Sequence, residues 1–389
     1  MNIRTVVAYK DPYEWAEKSG YKIRRLDQRD NFTKPEKLTR FHDFPAMEAA
    51  IKLVEEVEQR SAIAVEASDI FVLVWNWGGA EAHRRHYRYF LISSNGNLLA
   101  EPPDSDEHWL RYFPIFQEET PGKYKINLNE SCEYLTVEQR HRFAAGSLHF
   151  GHWVADTLPL FLVRDQEAEL TPYFSTKLSN SARQILYSFA ASPTSLLTEL
   201  DMDMAHTKVI KFSQLVLYAN FGVRRKNSLL RRVVRSTKHS NNIKSRPSSH
   251  RKACYLIRGT IDGMARLKNE SQIIEYCMRR GILVLDPRQY PFAQNIDLYR
   301  GFDVYLMLNS SANTNFNVLA NEDSMLISFV SQNYKTHSIE CVLASAVYLT
   351  PKHENIDLGY VKSVSRSETL ASECEIPISA FIEKVENFL

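Results

Sequence analysis

Between residues 253 and 329 the chain alternates short apolar runs with helical segments, and that rhythm restricts the fold more than any other feature. Ala253 to Ile257 (ACYLI), Ile282 to Leu285 (ILVL), Val304 to Leu308 (VYLML) and Ser324 to Phe329 (SMLISF) are nearly continuous apolar runs. Strands of that kind are buried on both faces, the habit of a parallel sheet. Glu270 to Arg280 (ESQIIEYCMRR) reads as a helix stopped by Gly281. Phe292 to Tyr299 and the segment beginning at Asn317 read as further helices. Parallel neighbours joined in this way need right-handed crossovers. Near the end, Ile378, Phe381, Ile382, Val385 and Phe388 recur at helical spacing and predict an amphipathic helix.

The N-terminal part follows a different grammar. Pro45 to Arg60 reads as a helix with proline at its start, and Ile70 to Trp75 as a buried strand. Arg88 to Glu101 (RYFLISSNGNLLAE) places Asn95-Gly96 between two strand-like runs, which predicts a hairpin with positive φ in its turn. From about residue 140 helices and apolar runs alternate, and Lys208 to Leu217 predicts one or two strands. Ser228 to Arg235 looks helical, and the polar, basic stretch Ser236 to Ser249 reads as an interdomain linker.

The length suits two globular domains, or three, at roughly 100–200 residues each. The 389 residues are 44% hydrophobic and 24% charged, ordinary fractions that exclude a disordered regulator. No run approaches the roughly 20 apolar residues that span a bilayer, and the start MNIRTVVAYKDPYEW lacks a signal-peptide core, so a soluble, cytoplasmic chain is expected. Five scattered cysteines, never spaced as C-x-x-C, argue against both a disulfide framework and a zinc finger. The net charge of +2 conceals eleven Lys and Arg between Arg224 and Lys252 with no acid among them. Such a run is either a solvated helix and linker or a surface for polyanions. It has no interleaved aromatics, which disfavours nucleic acid.

Three clusters carry polar chemistry. In the first, His149, His152 and Asp156 fall at i, i+3 and i+7, one face of a helix. A histidine four residues before an aspartate can orient it, and either group can serve as a general base. Metal binding through His149 and His152 is the competing chemistry, although no third ligand motif accompanies them. The pair can also simply satisfy a buried helix end. In the second cluster, Arg258 ends the ACYLI strand, with Arg266, Lys268 and Asn269 in the loop that follows. Cations at the carboxyl end of a parallel strand suit a phosphate or diphosphate, although the same residues also occur as plain surface charges. The third is Asn309, Ser310, Ser311, Ala312, Asn313, Thr314 and Asn315, between a strand and a helix start. Small polar residues there expose N–H groups to anions or cap the helix.

In this order the clusters resemble glycosyltransferase family 61. The family's His-x-x-His-x-x-x-Asp-x-x-Pro segment corresponds to HFGHWVADTLP (149–159). Its Tyr-Ile-Ser-Arg strand end corresponds to Tyr255-Leu-Ile-Arg258, and its Arg-x-x-Asn-Glu element to Arg266-Leu-Lys-Asn-Glu270. Pro291-Phe-Ala-Gln-Asn-Ile296 stands for the Ser-Phe-x-Glu-Gln helix, with Gln294 and Asn295 in place of Glu-Gln. The His-Gly-Ala-Gly loop becomes Ser311-Ala-Asn-Thr314, without the histidine or the glycines.

The resemblance implies an α/β protein of the GT-B kind, two facing Rossmann-like domains with a β-rich N-terminal portion. Residues 1–240 would form the β-rich extension and acceptor-side domain. Residues 250–389 would form the nucleotide-sugar domain, with the last helix a candidate to pack back on the first. The implied activity is inverting transfer from a nucleotide sugar, expected to be UDP-linked, to a glycan or lipid-linked glycan, with no essential metal. Asp156 would be the base, with His152 and His149 beside it. Arg258, Arg266, Lys268 and Asn269 would hold the diphosphate, and Asn309, Ser310, Ser311, Asn313 and Asn315 would close around it. The bacterial capsule and lipopolysaccharide members are the expected relatives, with the basic stretch resting on the inner face of an anionic membrane. The alternative is a catalytically impaired relative acting as a sugar-binding or scaffold subunit, since the His-Gly-Ala-Gly residues are missing.

Overall fold

The computed structural model describes residues 5–26, 60–77, 86–99, 115–128, 132–144, 158–163, 170, 172–174, 198–199, 207–221, 229–230, 252–258, 260–261, 264–265, 267–286, 289, 302–308, 324–331, 356–363, 374–386 and 389. The chain divides into two compact units, Met1–Asp30 with Gln59–Phe221, and Asn31–Glu58 with Gly222–Leu389. The division falls at Phe221, ahead of the basic stretch rather than inside it at 236–250 as the composition predicted. The strand Lys208–Ala219 and the buried Phe221 carry the first unit's core up to that point. Among the described residues no helix is long and apolar enough to cross a membrane.

The first unit is built on one mixed twelve-stranded sheet. In chain order its elements are β1 (Thr5–Tyr9), α1 (Pro12–Lys18), β2 (Lys22–Arg25), β3 (Ile63–Trp77), β4 (His86–Ile92), β5 (Asn97–Leu99), β6 (Phe116–Thr120) and β7 (Lys123–Ile126). There follow β8 (Glu133–Val137), β9 (His141–Ala144), α2 (Leu158–Phe161), β10 (Pro172–Phe174), β11 (Thr198–Glu199) and β12 (Lys208–Ala219). The spatial order is β11-β10-β9-β12-β3-β4-β5-β1-β7-β6, with β2 also on β3 and β8 also on β12. Among the described residues this sheet is mixed, parallel from β12 through β9 and β10 to β11 and at two further pairs. Its spine is the antiparallel β3–β12 ladder, which runs from Val74 opposite Lys208 to Ile63 opposite Ala219.

That ladder shows how sequence sets the core. Ile63, Val65 and Ala67 face one cluster, and then Ile70, Val72 and Val74 do, so the alternation slips once. On β12 the same slip separates Leu217 and Leu215 from Phe212 and Ile210. Both strands change parity at the same rung, and Asp69 there adopts φ 48°. Aspartate tolerates this left-handed conformation better than a branched residue would. Leu73 and Val209 project to the opposite face and join Val6, Phe90, Ile92, Phe116 and Tyr124 in a second cluster. The Asn95-Gly96 hairpin forms as predicted, but only Gly96 has positive φ, at 87°. The Gly96 N–H donates to Ser93 O and the Ser93 N–H to Asn97 O, the pattern of a three-residue loop closed by a glycine bulge.

The second unit contains β13 (Ala253–Leu256), β14 (Thr260–Ile261), β15 (Met264–Ala265), α3 (Glu270–Arg279), β16 (Leu283–Leu285), β17 (Val304–Leu308), β18 (Met325–Ser331), β19 (Ile356–Ser363), β20 (Cys374–Glu375) and α4 (Ile378–Glu386). Its main sheet has the order β16-β13-β17-β18-β19-β20, parallel throughout except for the edge strand β20. Counting the parallel strands along the chain gives 2-1-3-4-5, one of the two common doubly wound orders. One face, with Tyr255, Leu306, Ile327 and Phe329, packs against Ile273, Tyr276 and Cys277 of α3 and Phe381 and Val385 of α4. On alternate positions Cys254, Leu256, Tyr305, Met307 and Leu326 are also buried. The last helix therefore buries Phe381 and Val385 in the core of this unit.

The end of α3 follows from one glycine. Gly281 has φ +70°, its N–H donates to Met278 O, and the Ile282 N–H reaches Cys277 O. This pair of bonds closes the helix in a Schellman motif. Nothing lies within 4 Å of a Cβ built there, so an alanine would meet backbone strain without a clash. Gly281→Ala is expected to cost about 1 kcal/mol, with Gly281→Asn costing less, in urea unfolding followed by far-UV circular dichroism.

Candidate functional site

The 2-1-3-4-5 order puts a topological switch point between β13 and β17. The connection from β13 leads to β16 on one side, and the chain then returns past β13 to β17 on the other. Ligands of doubly wound sheets bind outside the carboxyl ends of the strands at such a point. The ladders there end with Leu256 opposite both Leu285 and Met307. Arg258 lies two residues past the end of β13 and is half-buried. The sequence therefore located this cation correctly at a strand's carboxyl end, and the strand order adds that it is the strand at the switch point.

A carboxylate to which the sequence assigns no site role, Glu270 of the Arg266–Glu270 element, organises this strand end. Glu270 opens α3 and is 9% exposed. One of its oxygens accepts the Tyr255 hydroxyl at 2.9 Å and the Arg258 backbone N–H at 2.6 Å. Its place in the first helical turn also sets it favourably against the helix dipole. Burial, reinforced by the neighbouring Glu270 charge, pushes the Tyr255 phenol well above its ordinary pKa, so the hydroxyl remains a donor. Burial likewise raises the Cys254 thiol well above its usual value and the Cys277 thiol to about 12. Neither is a thiolate nucleophile at neutral pH.

Asn269 has a different job from the one its neighbours suggested. Its side-chain N–H donates to Ile376 O at 2.6 Å, and its side-chain oxygen accepts the Ile376 N–H at 3.2 Å. It is 8% exposed, so this amide ties the segment before α4 to the start of α3. A second tie holds the other end of the two helices, where the Tyr276 hydroxyl and Arg280 both donate to Glu386, at 2.5 and 2.6 Å. Burial and the bond to Glu386 raise Tyr276 to about 12, and the bond from Tyr276 helps lower Glu386.

Lys268 is exposed, one residue before this tether. The chain between Arg258 and Leu267 includes the small β14–β15 ladder, Thr260 opposite Ala265 and Ile261 opposite Met264. The structure thus brings Arg258 and the start of α3 together through Glu270. Arg266, Gln294, Asn295, Asn309, Ser310, Ser311, Asn313 and Asn315 lie outside the described residues, as do His149, His152 and Asp156. The described strands on either side of the histidine segment are the parallel neighbours β9 and β10. Leu158 and Pro159, which end that segment, are buried in α2. A cavity of about 450 Å³ in the first unit, where Lys22 and Arg140 meet Glu66, contains none of the predicted site residues.

No curated protein matches the chain. Residues 150–326, just under half of it, match the family model described as Glycosyltransferase 61, and this stretch runs from the His152–Asp156 segment through Arg258 and Glu270 to β18.

Proposed function

We propose that this chain is a glycosyltransferase of family 61 that moves a sugar from a nucleotide-sugar donor to a glycan acceptor. The observation that carries the reading is the position of Arg258, at the carboxyl end of the switch-point strand and inside the matched stretch. A cation there can neutralise the departing nucleoside diphosphate. In a single displacement with inversion, a base takes the acceptor hydroxyl proton while the oxygen attacks the anomeric carbon. The bond to the diphosphate breaks on the opposite side, and the cations take up the charge that develops.

In this proposal Asp156 is the base and His152 orients it, with His149 on the same face. Arg258, Arg266 and Lys268 hold the diphosphate, and the amides and hydroxyls from Asn309 to Asn315 surround it. The donor is taken as UDP-linked, and no metal is required. The role is bacterial surface-glycan synthesis, in the cytoplasm at the inner membrane face. The basic stretch from Arg224 to Lys252 supports that location, because anionic lipid attracts juxtamembrane Lys and Arg.

Calorimetric titration with UDP-, GDP- and CMP-sugars tests the reading. One nucleotide sugar is expected to bind in the micromolar to millimolar range, with affinity falling at least about tenfold in Arg258→Ala. Absence of binding to every donor class would sink it. A second reading, a sugar-binding or scaffold subunit, is favoured by Ser311-Ala-Asn-Thr314 standing where the family has His-Gly-Ala-Gly. Its signature would be donor binding with neither hydrolysis nor transfer.

A further inference from the structure

We infer that Glu270 is a positioning residue for the donor site, ending β13 at the right residue and holding the Arg258 main chain in place. The inference rests on the donor reading of Arg258 given above.

Along a strand, successive N–H groups point to opposite neighbours. The Ile257 N–H donates to Leu285 O of β16, at 2.8 Å. The next N–H, that of Arg258, is therefore turned toward the β17 side, where the ladder has already ended at Leu256 opposite Met307. It is taken instead by Glu270, at 2.6 Å. A side-chain carboxylate thus replaces the next rung, so β13 and β17 part at the switch point instead of zipping further. The parting of neighbouring strands is what opens the ligand crevice of a doubly wound sheet.

Glu270 is well placed to impose this. It is buried, and its acceptor oxygen is also fixed by the Tyr255 hydroxyl from inside the same strand. Its own backbone is set by α3, whose first turn is tied to Ile376 through Asn269. Strand end, helix start and terminal segment therefore meet around one carboxylate. A bond to a charged acceptor is stronger and shorter than a neutral one, which suits a group that must hold a loop cation in register.

The test measures dissociation constants for UDP, GDP, ADP and dTDP, with thermal midpoints recorded alongside. Glu270→Ala should weaken the nucleoside diphosphate that the wild type binds by at least about tenfold, because the Arg258 N–H loses its acceptor. Glu270→Gln keeps an oxygen for both donors and should bind within about threefold of wild type. Tyr276→Phe disturbs the far end of the same helix, so it should lower the midpoint while leaving the affinity within about twofold. Should Glu270→Ala not fold, Glu270→Asp serves in its place, since its shorter side chain withdraws the carboxylate from Arg258. Wild-type affinity in the Ala or Asp variant overturns the inference, as does a Gln variant no better than Ala. A wild-type chain that binds none of the four nucleotides overturns the donor assignment itself, and the two failures are distinguished by the wild-type titration.

Discussion

Asp156→Asn is expected to lower sugar transfer by about 10²–10⁴-fold, the usual contribution of a positioned general base. Asparagine keeps the size and polarity of the side chain but cannot accept the hydroxyl proton. Donor affinity should be unchanged, because the cations proposed to hold the diphosphate belong to the later part of the chain. The loss should therefore appear in kcat and not in the nucleotide titration. The acidic limb of the pH–rate profile should also flatten, since the group whose deprotonation it reports is gone. His152→Ala should give a smaller loss if histidine only orients the carboxylate. Transfer that survives Asp156→Asn undiminished would remove Asp156 from the mechanism and leave His152 as the base to be tested.

Phe381→Ala is expected to cost about 3–5 kcal/mol, the range for truncating a fully buried aromatic. Phe381 is 0% exposed and stacks on Phe329 with ring centres 5.3 Å apart. It also meets the edges of Tyr255 and Tyr276 at 6.2 and 5.8 Å. The vacated volume would lie between α4, α3 and the sheet, where three rings have no ready way to collapse inward. The measurement has a built-in control. Trp15, Trp75, Trp77, Trp109 and Trp153 all belong to the first unit. Far-UV circular dichroism should show the second unit melting earlier, while the tryptophan fluorescence transition stays where it was. Coincident shifts in both signals would mean that the two units unfold as one cooperative block.

The second unit was largely legible because its strands are short, apolar and unbroken. The runs predicted at 253–257, 282–285, 304–308 and 324–329 each match a strand to within a few residues, and α3 differs by one. The order 2-1-3-4-5 was not legible, since apolar runs do not say on which side of β13 the next strand lands. β19 escaped notice because Asp357, Gly359 and Lys362 interrupt its apolar residues. In the first unit β3 was seen only from Ile70 to Trp75. Glu66, Ser68 and Asp69 break the alternation at the point where the strand itself changes parity.

The candidate site divides along similar lines. Arg258 could be found from its position after an apolar run. Glu270 could be read only as the last residue of the Arg266–Glu270 element, because nothing in the sequence marks Tyr255 and Arg258 as its partners. The signal available was its place at a helix start, twelve residues from a strand-end arginine. Asn269 looked like a ligand amide for the same reason. Its partner, Ile376, is 107 residues away and carries no mark in the sequence.

That separation has a consequence for how the protein is made. During synthesis the strand that carries Arg258 emerges long before the residues that fix α3 from behind. The intervening chain must be translated, and β17 and β18 laid down, before Ile376 can close on Asn269. Loops of this length are slow to close relative to local pairing. The nascent second unit therefore passes through an interval in which its sheet has begun to assemble with the back of α3 still uncovered. Exposed apolar strands in such an interval are the species that chaperones hold.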